Sequence, residues 1–127
     1  MVTKLGISKN VKFLGWIDNI DDYMKKCSVF ILPSHFECMP MSLLEAMSYS
    51  LVPVATDVGG IPRIIENSLD GYIIEPCNEE RIESILIKVL SNVKEKERVG
   101  VNARAKVEDK FNIIQNIEIL KKLYDSF

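Results

Sequence analysis

Two short apolar runs, Ser28 to Leu32 and Val52 to Thr56, bracket a segment of helical character that opens with Pro40. The first run does not alternate apolar with polar residues, so it reads as a strand covered on both faces. Short β-branched runs alternating with helical patterns mark βα units around a parallel sheet, and four such runs are expected. The first is Val11 to Leu14, closed by Gly15. Asp18, with Asp21 three residues later, starts a helix through Lys26 in the manner of a capping box. Pro33 ends the second strand, and a helix with Pro40 at its first position runs to about Ser50. After the third strand a Gly59-Gly60 loop leads into a short helix from Pro62 to about Asn67. Asp70-Gly71 then turns the chain into a fourth strand, Tyr72 to Glu75. Ile82, Ile85, Leu86, Val89 and Leu90 follow one helical face, and Val101 to Lys110 and Ile113 to Tyr124 add two more amphipathic segments.

A chain of 127 residues, 47% hydrophobic and 27% charged, fits one globular domain with one core. A net charge of -2 with interspersed signs offers no field for nucleic acid. Cys27, Cys38 and Cys77 form no short-spaced pair, an odd count that fits a reducing compartment. The longest strongly apolar run, Val29 to Leu32, is far too short to span lipid. The expected location is the cytoplasm, including a peripheral place at the inner face of the cell membrane.

Ligands of such sheets lie beyond the carboxyl ends of the strands, which makes Gly15 to Asn19, Ser34 to Met39 and Asp57 to Ile61 the candidate loops. With Pro40 at the first helical position the cap falls on Met39, whose side chain accepts no backbone hydrogen bond. The N–H groups of Met41, Ser42 and Leu43 then need another partner. A phosphate would satisfy them and gain from the helix dipole; Ser42 folding back, or water, would also serve. Glu45 sits among Leu43, Leu44, Ala46 and Met47, where an unpaired buried carboxylate would be costly. Its partner could be a basic side chain or a pair of sugar hydroxyls, the alternative being an ordinary solvated helix-edge glutamate. Glu37 is a loop carboxylate that gains interest from its place beside the presumed anion site. Asp21 and Asp22 read as helix caps, His35 is a lone imidazole, and Cys38 lacks a partnered base. Cys27 and Cys77 read as packing residues.

Glu37 and Glu45 stand with seven residues between them, followed by Leu44-Glu45-Ala46-Met47, Pro53 to Pro62 and Asp70-Gly71-Tyr72, and preceded by Phe13-Leu14-Gly15 and Val29 to Ser34. This ordered set resembles the C-terminal nucleotide-sugar-binding domain of retaining glycosyltransferases with the two-domain GT-B fold, in particular the large family-four group. The resemblance covers nearly the whole chain. It implies a Rossmann-like parallel sheet of about four strands flanked by helices. It also implies transfer of a glycosyl group from a nucleotide diphosphate sugar to an acceptor hydroxyl with retention, in cell-surface polysaccharide or glycoconjugate synthesis. By resemblance Glu37 lies against the donor sugar and favours charge developing at the anomeric carbon, while Glu45 accepts hydrogen bonds from the ribose. Backbone amides around Met41 and Ser42 face the diphosphate, Cys38 adjoins the sugar, and Trp16-Ile17 borders the base. No metal or cofactor is implied.

Two departures stand out: Cys38-Met39-Pro40 replaces a frequent Gly-Phe-Gly, and Arg63 replaces a commonly acidic residue after Ile61-Pro62. The resemblance further implies that residues 1-127 are a partial donor-binding domain. It lacks an acceptor domain, two opening strands and a basic pair that clamps the diphosphate, so the chain alone is expected to be inactive. Those two strands would lie between the first and second strands of this chain. Either Val11 to Leu14 then docks directly beside Ser28 to Leu32, or exposed sheet edges and apolar helix faces are covered by a second chain, a homodimer included. The competing reading is a non-catalytic Rossmann-like module that assembles with another chain. A flavodoxin-like receiver or flavin domain fits less well, since Gly15-Trp16-Ile17-Asp18 is no phosphate loop.

Overall fold

The computed structural model describes residues 1–126. Its elements are α1 (Asp21–Met24), β1 (Val29–Leu32), α2 (Met41–Ser48), β2 (Val52–Thr56), α3 (Ile61–Ile64), β3 (Tyr72–Ile74), α4 (Glu79–Ser91), α5 (Val93–Lys110) and α6 (Ile113–Tyr124). The sheet is parallel with order β1-β2-β3, so β2 is central and every one of its residues is buried. The register pairs Val29 with Val52 and Val54 with Tyr72.

Pro53 lies in the central strand, where a missing N–H would ordinarily break a ladder. The Val52 N–H donates to Ser28 on the β1 side, so residue 53 faces the β3 side. Because β3 begins only at the level of Val54, no carbonyl of that strand is left waiting for the proline. Gly71 completes the fit: a side chain there would come within 2.6 Å of the Pro53 ring.

One face of the sheet packs Leu43, Leu44 and Met47 of α2 with Ile61, Ile64 and Ala103 against Ala55. On the other face Val52, Val54, Tyr72 and Ile74 meet Ile85 and Val89 of α4 and Val99 of α5. Helix α5 therefore serves both clusters. Its Gly100 runs so close to the end of α2 that a Cβ would lie 2.3 Å from the Ser50 carbonyl oxygen.

Three strands form, not the expected four. Val11 to Leu14 forms no strand and pairs with none, Phe13 is 81% exposed, and the segment does not dock beside β1. A strand is held by neighbours that take its backbone N–H and C=O groups, and no strand among the described residues lies between this segment and β1 to do so. Helix α1 is one turn, capped by Ile20 without a side-chain bond; Asp22 instead accepts from the Asn19 amide at 3.0 Å. The capping-box reading of Asp18 and Asp21, and the capping role of Asp22, are thus corrected. The short helix after Gly59-Gly60 starts at Ile61 and ends at Ile64, and α5 starts at Val93 rather than Val101, where Asn92 caps it by accepting from the Glu95 N–H. Cys27 and Cys77 are exposed free thiols, not packing residues. No helix among the described residues is long and apolar enough to cross a membrane.

Candidate functional site

Three loops leave the carboxyl ends of β1, β2 and β3, where the open side of a parallel sheet collects ligands. Buried Thr56, the last residue of β2, donates from its hydroxyl to the Ser34 carbonyl at 2.5 Å. Ser34 in turn donates from its own hydroxyl to Glu37 Oε1 at 2.8 Å. A strand end thus sets a loop, and the loop sets one oxygen of the carboxylate. The second oxygen stays available.

Beneath this loop the Gly59-Gly60 pair approaches backbone to backbone. A Cβ on Gly59, whose φ is +54°, would fall 1.6 Å from the Glu37 carbonyl oxygen, and one on Gly60 would fall 2.0 Å from that of Cys38. Only glycine permits the contact and the left-handed φ together. Phe36, Glu37, Cys38, Gly59, Gly60 and Arg63 enclose a hollow of about 240 Å³. A second hollow of about 290 Å³ lies at the mouths of the three strands, lined by His35, Thr56, Cys77, Asn78 and Glu79 among others.

Pro40, not Met39, is the residue before α2, and it has extended geometry with ψ 106°. The restriction on residues preceding proline keeps Met39 out of the helix, and Pro40 accepts the first helical bonds through its carbonyl. That carbonyl takes the N–H of Leu43 at 3.1 Å, so Leu43 is not an orphan donor. Among the described residues no protein acceptor meets the N–H groups of Met41 and Ser42, and both residues are exposed.

Glu45 is exposed on the outer side of α2, as are Met41, Ser42 and Ser48, while Leu43, Leu44, Ala46 and Met47 are buried. The expectation of burial fails because sequence neighbours on a helix turn by about 100° per residue, which carries Glu45 away from the apolar stripe. The hollow that takes Glu37 does not take Glu45. Trp16 is 94% exposed and Ile17 half-buried in the unpaired amino-terminal segment, so they are not built into the mouth formed by the three loops. Cys38 does line the Glu37 hollow, with an exposed thiol. Among the described residues no group of three His, Cys, Asp or Glu side chains is placed to hold a metal.

Sequence reasoning missed the Thr56-Ser34-Glu37 chain and the place of Arg63 in the hollow. The signal for the first is a hydroxyl residue three positions before the loop carboxylate. For the second it is a charged residue three positions beyond a glycine pair, on a helix too short to carry it elsewhere.

The parallel layer with its carboxylate-bearing strand mouth is of the C-terminal GT-B class. A family model described as glycosyl transferases group 1 matches residues 1–106, and the chain belongs to that family. It is 31% identical over 122 residues to the Escherichia coli UDP-Gal:alpha-D-GlcNAc-diphosphoundecaprenol alpha-1,3-galactosyltransferase, covering 96% of this chain and 31% of that protein. It is 28% identical to the N-acetyl-alpha-D-glucosaminyl L-malate synthase of Bacillus anthracis, covering 98% and 32%. The crystal structure of the C-terminal domain of a group 1 family glycosyl transferase (LpcC) from Francisella tularensis superposes with a TM-score of 0.82 at 28% identity, covering 88% of this chain and 59% of that one. Anabaena HepE in complex with UDP shares the fold at a TM-score of 0.93 and 23% identity, covering 99% and 35%. The chain thus spans about a third of the length of the curated relatives named here.

Proposed function

We propose that residues 1–127 are the donor-handling part of a retaining glycosyltransferase that uses a nucleotide diphosphate sugar in polysaccharide or glycoconjugate synthesis. The observation that carries this reading is Glu37, held by Ser34 at 2.8 Å in a hollow floored by Gly59 and Gly60. Its free oxygen accepts a hydrogen bond from a sugar hydroxyl. Its negative charge favours the positive charge that develops at the anomeric carbon as the bond to the diphosphate breaks. The acceptor hydroxyl forms the new bond on the same face, and its proton leaves with the departing diphosphate oxygen. Retention follows from that shared face.

The open N–H groups of Met41 and Ser42 receive diphosphate oxygens, with the positive end of α2 contributing about 0.3 to 1 kcal/mol per charge. Glu45, exposed one turn further along, accepts from the ribose hydroxyls. Cys38 adjoins the sugar, and Trp16-Ile17 borders the base once that segment is brought over the mouth. An amino-terminal half supplies the acceptor site and basic groups for the diphosphate, so this chain alone is catalytically silent; no metal or cofactor takes part. The place of work is the cytoplasm, at or near the inner face of the membrane.

A thermal-shift panel of nucleotide diphosphate sugars tests the binding step, because stabilisation follows ligand concentration over dissociation constant. Joining the chain to the amino-terminal half of a relative tests transfer. Activity that survives Glu37→Gln unchanged would remove Glu37 from the mechanism.

A non-catalytic assembly module is the second reading, and the observation that favours it is apolar surface. Ile31 on β1 is exposed, and α6 buries none of its residues while Ile113, Ile114, Leu120 and Leu123 face solvent. Light scattering separates the two: a monodisperse monomer that binds a sugar nucleotide rules the module out, whereas a stable homodimer with no nucleotide affinity favours it.

A further inference from the structure

Arg63 is the cation of the hollow that holds Glu37. Its backbone is fixed by donation to Gly60 at 3.1 Å in the last turn of α3, so the stem of the side chain starts from the floor of the cavity. The side chain is exposed, and among the described residues its guanidinium makes no ion pair or hydrogen bond. Arg98 and Arg104, by contrast, each close on a carboxylate. A hollow with Glu37 as its only charge would repel an anionic ligand group. The Arg63 guanidinium, carried on α3, offsets that charge, and its planar fork matches the paired oxygens of a carboxylate or phosphate.

We propose that Arg63 grips an anionic group of the sugar nucleotide inside this hollow, giving the site a preference for ligands that carry a carboxylate or phosphate beside the sugar. The inference rests on the sugar-nucleotide reading above. Glu37 then meets the neutral hydroxyl side of the sugar and Arg63 its charged side, so one small cavity orients the ring between opposite charges.

The test is calorimetric titration of the wild-type chain, Arg63→Ala and Arg63→Lys with matched ligands that differ only at the sixth carbon of the sugar. These are UDP-glucose against UDP-glucuronate and GDP-mannose against GDP-mannuronate, with UDP and GDP as sugar-free controls. If the anion is the sugar's carboxylate, Arg63→Ala weakens the uronate ligand roughly 10-fold or more and leaves its neutral counterpart and the free nucleotide within twofold. If the anion is the diphosphate, all members of one nucleotide series, the free nucleotide included, weaken together by a similar factor. Arg63→Lys keeps the charge without the fork and falls between wild type and alanine in either case. A wild-type chain that binds while Arg63→Ala changes no affinity overturns the role of Arg63 alone. A wild-type chain that binds none of these ligands overturns the sugar-nucleotide reading with it. Unchanged thermal unfolding of both variants excludes misfolding as the cause, as expected for a side chain with no structural partner.

Discussion

Charge is handled in opposite ways in two regions of this molecule. Around Tyr72, at the start of β3, Glu95 of α5 accepts from the Tyr72 hydroxyl at 2.8 Å and pairs with Lys88 and Arg98 at 3.0 Å each. Lys88 also lies 5.1 Å from the centre of the tyrosine ring. Nearby, Asp70 takes the Glu66 N–H and the Lys106 ammonium, both at 2.7 Å. Both of these carboxylates, Glu95 and Asp70, have protein partners. Beyond the carboxyl ends of the strands, Glu37 has one hydroxyl partner, while Glu45 and Arg63 have no side-chain partner among the described residues. Closed charge networks tie α4, α5 and the turn before β3 into one body; open charges are what a ligand can complete.

The largest expected effect breaks the closed region. Asp70 is only 3% exposed, so Asp70→Ala strands the Glu66 N–H and the Lys106 ammonium. Loss of one partner of a buried pair costs about 3 to 5 kcal/mol, and the lower end applies because Lys106 can swing toward water. Urea unfolding should show a clear fall in midpoint, and a midpoint within error of wild type would mean the turn is held by packing alone. Gly59→Ala is of comparable size. Overpacking against the Glu37 carbonyl costs about 1 to 3 kcal/mol, with about 1 to 2 more for the left-handed backbone. It should also displace Glu37, so sugar-nucleotide affinity falls together with stability.

The open region gives the reverse pattern. Glu45→Ala should leave the unfolding midpoint almost unchanged, within about 0.5 kcal/mol, because nothing in the protein depends on that carboxylate. Nucleotide affinity should fall roughly 10-fold to 100-fold, the size of one lost charge-assisted hydrogen bond. A stability loss above 1 kcal/mol, or unchanged titrations, would erase the distinction between the two regions.

The sequence was most readable where one element decides its own form. Val52 to Thr56 and Ser28 to Leu32 carry their strand character in uninterrupted apolar residues, and β2 and β1 fall within those limits. The loop holding Glu37 and the helix after it follow from two prolines. Where partners decide, the sequence misled. Val11 to Leu14 has the composition of a strand but no neighbour to pair with, and Glu45 has apolar neighbours in sequence but not on its own side of the helix. The Gly59-Gly60 pair announced a loop, yet its purpose, room for the Glu37 and Cys38 carbonyls, is a contact between segments 22 residues apart. No local pattern encodes such a contact.

The smallest effect tests whether the closed network behaves as one electrostatic unit. Arg98, Lys88 and the Tyr72 hydroxyl hold the Glu95 carboxyl down to about 2, against an ordinary value of 4.5. A depressed carboxylate binds fewer protons folded than unfolded between those two values. Its stabilisation is therefore complete above about pH 4.5 and is lost as pH falls toward about 2. Tyr72 runs the other way, raised above 10.0 by burial and by Glu95, so its contribution is present below that value and fades as pH climbs through its folded pKa. Glu95→Gln should flatten the acid limb of the stability profile and lower the Tyr72 pKa, readable by ultraviolet titration of the phenol. Because Lys88 and Arg98 are about half exposed, added salt should shrink the acid-limb difference between wild type and Glu95→Gln. A salt-independent difference would mean that the hydrogen bond from Tyr72, rather than the two cations, dominates, and the closed region would then owe more to one shielded contact than to its charges.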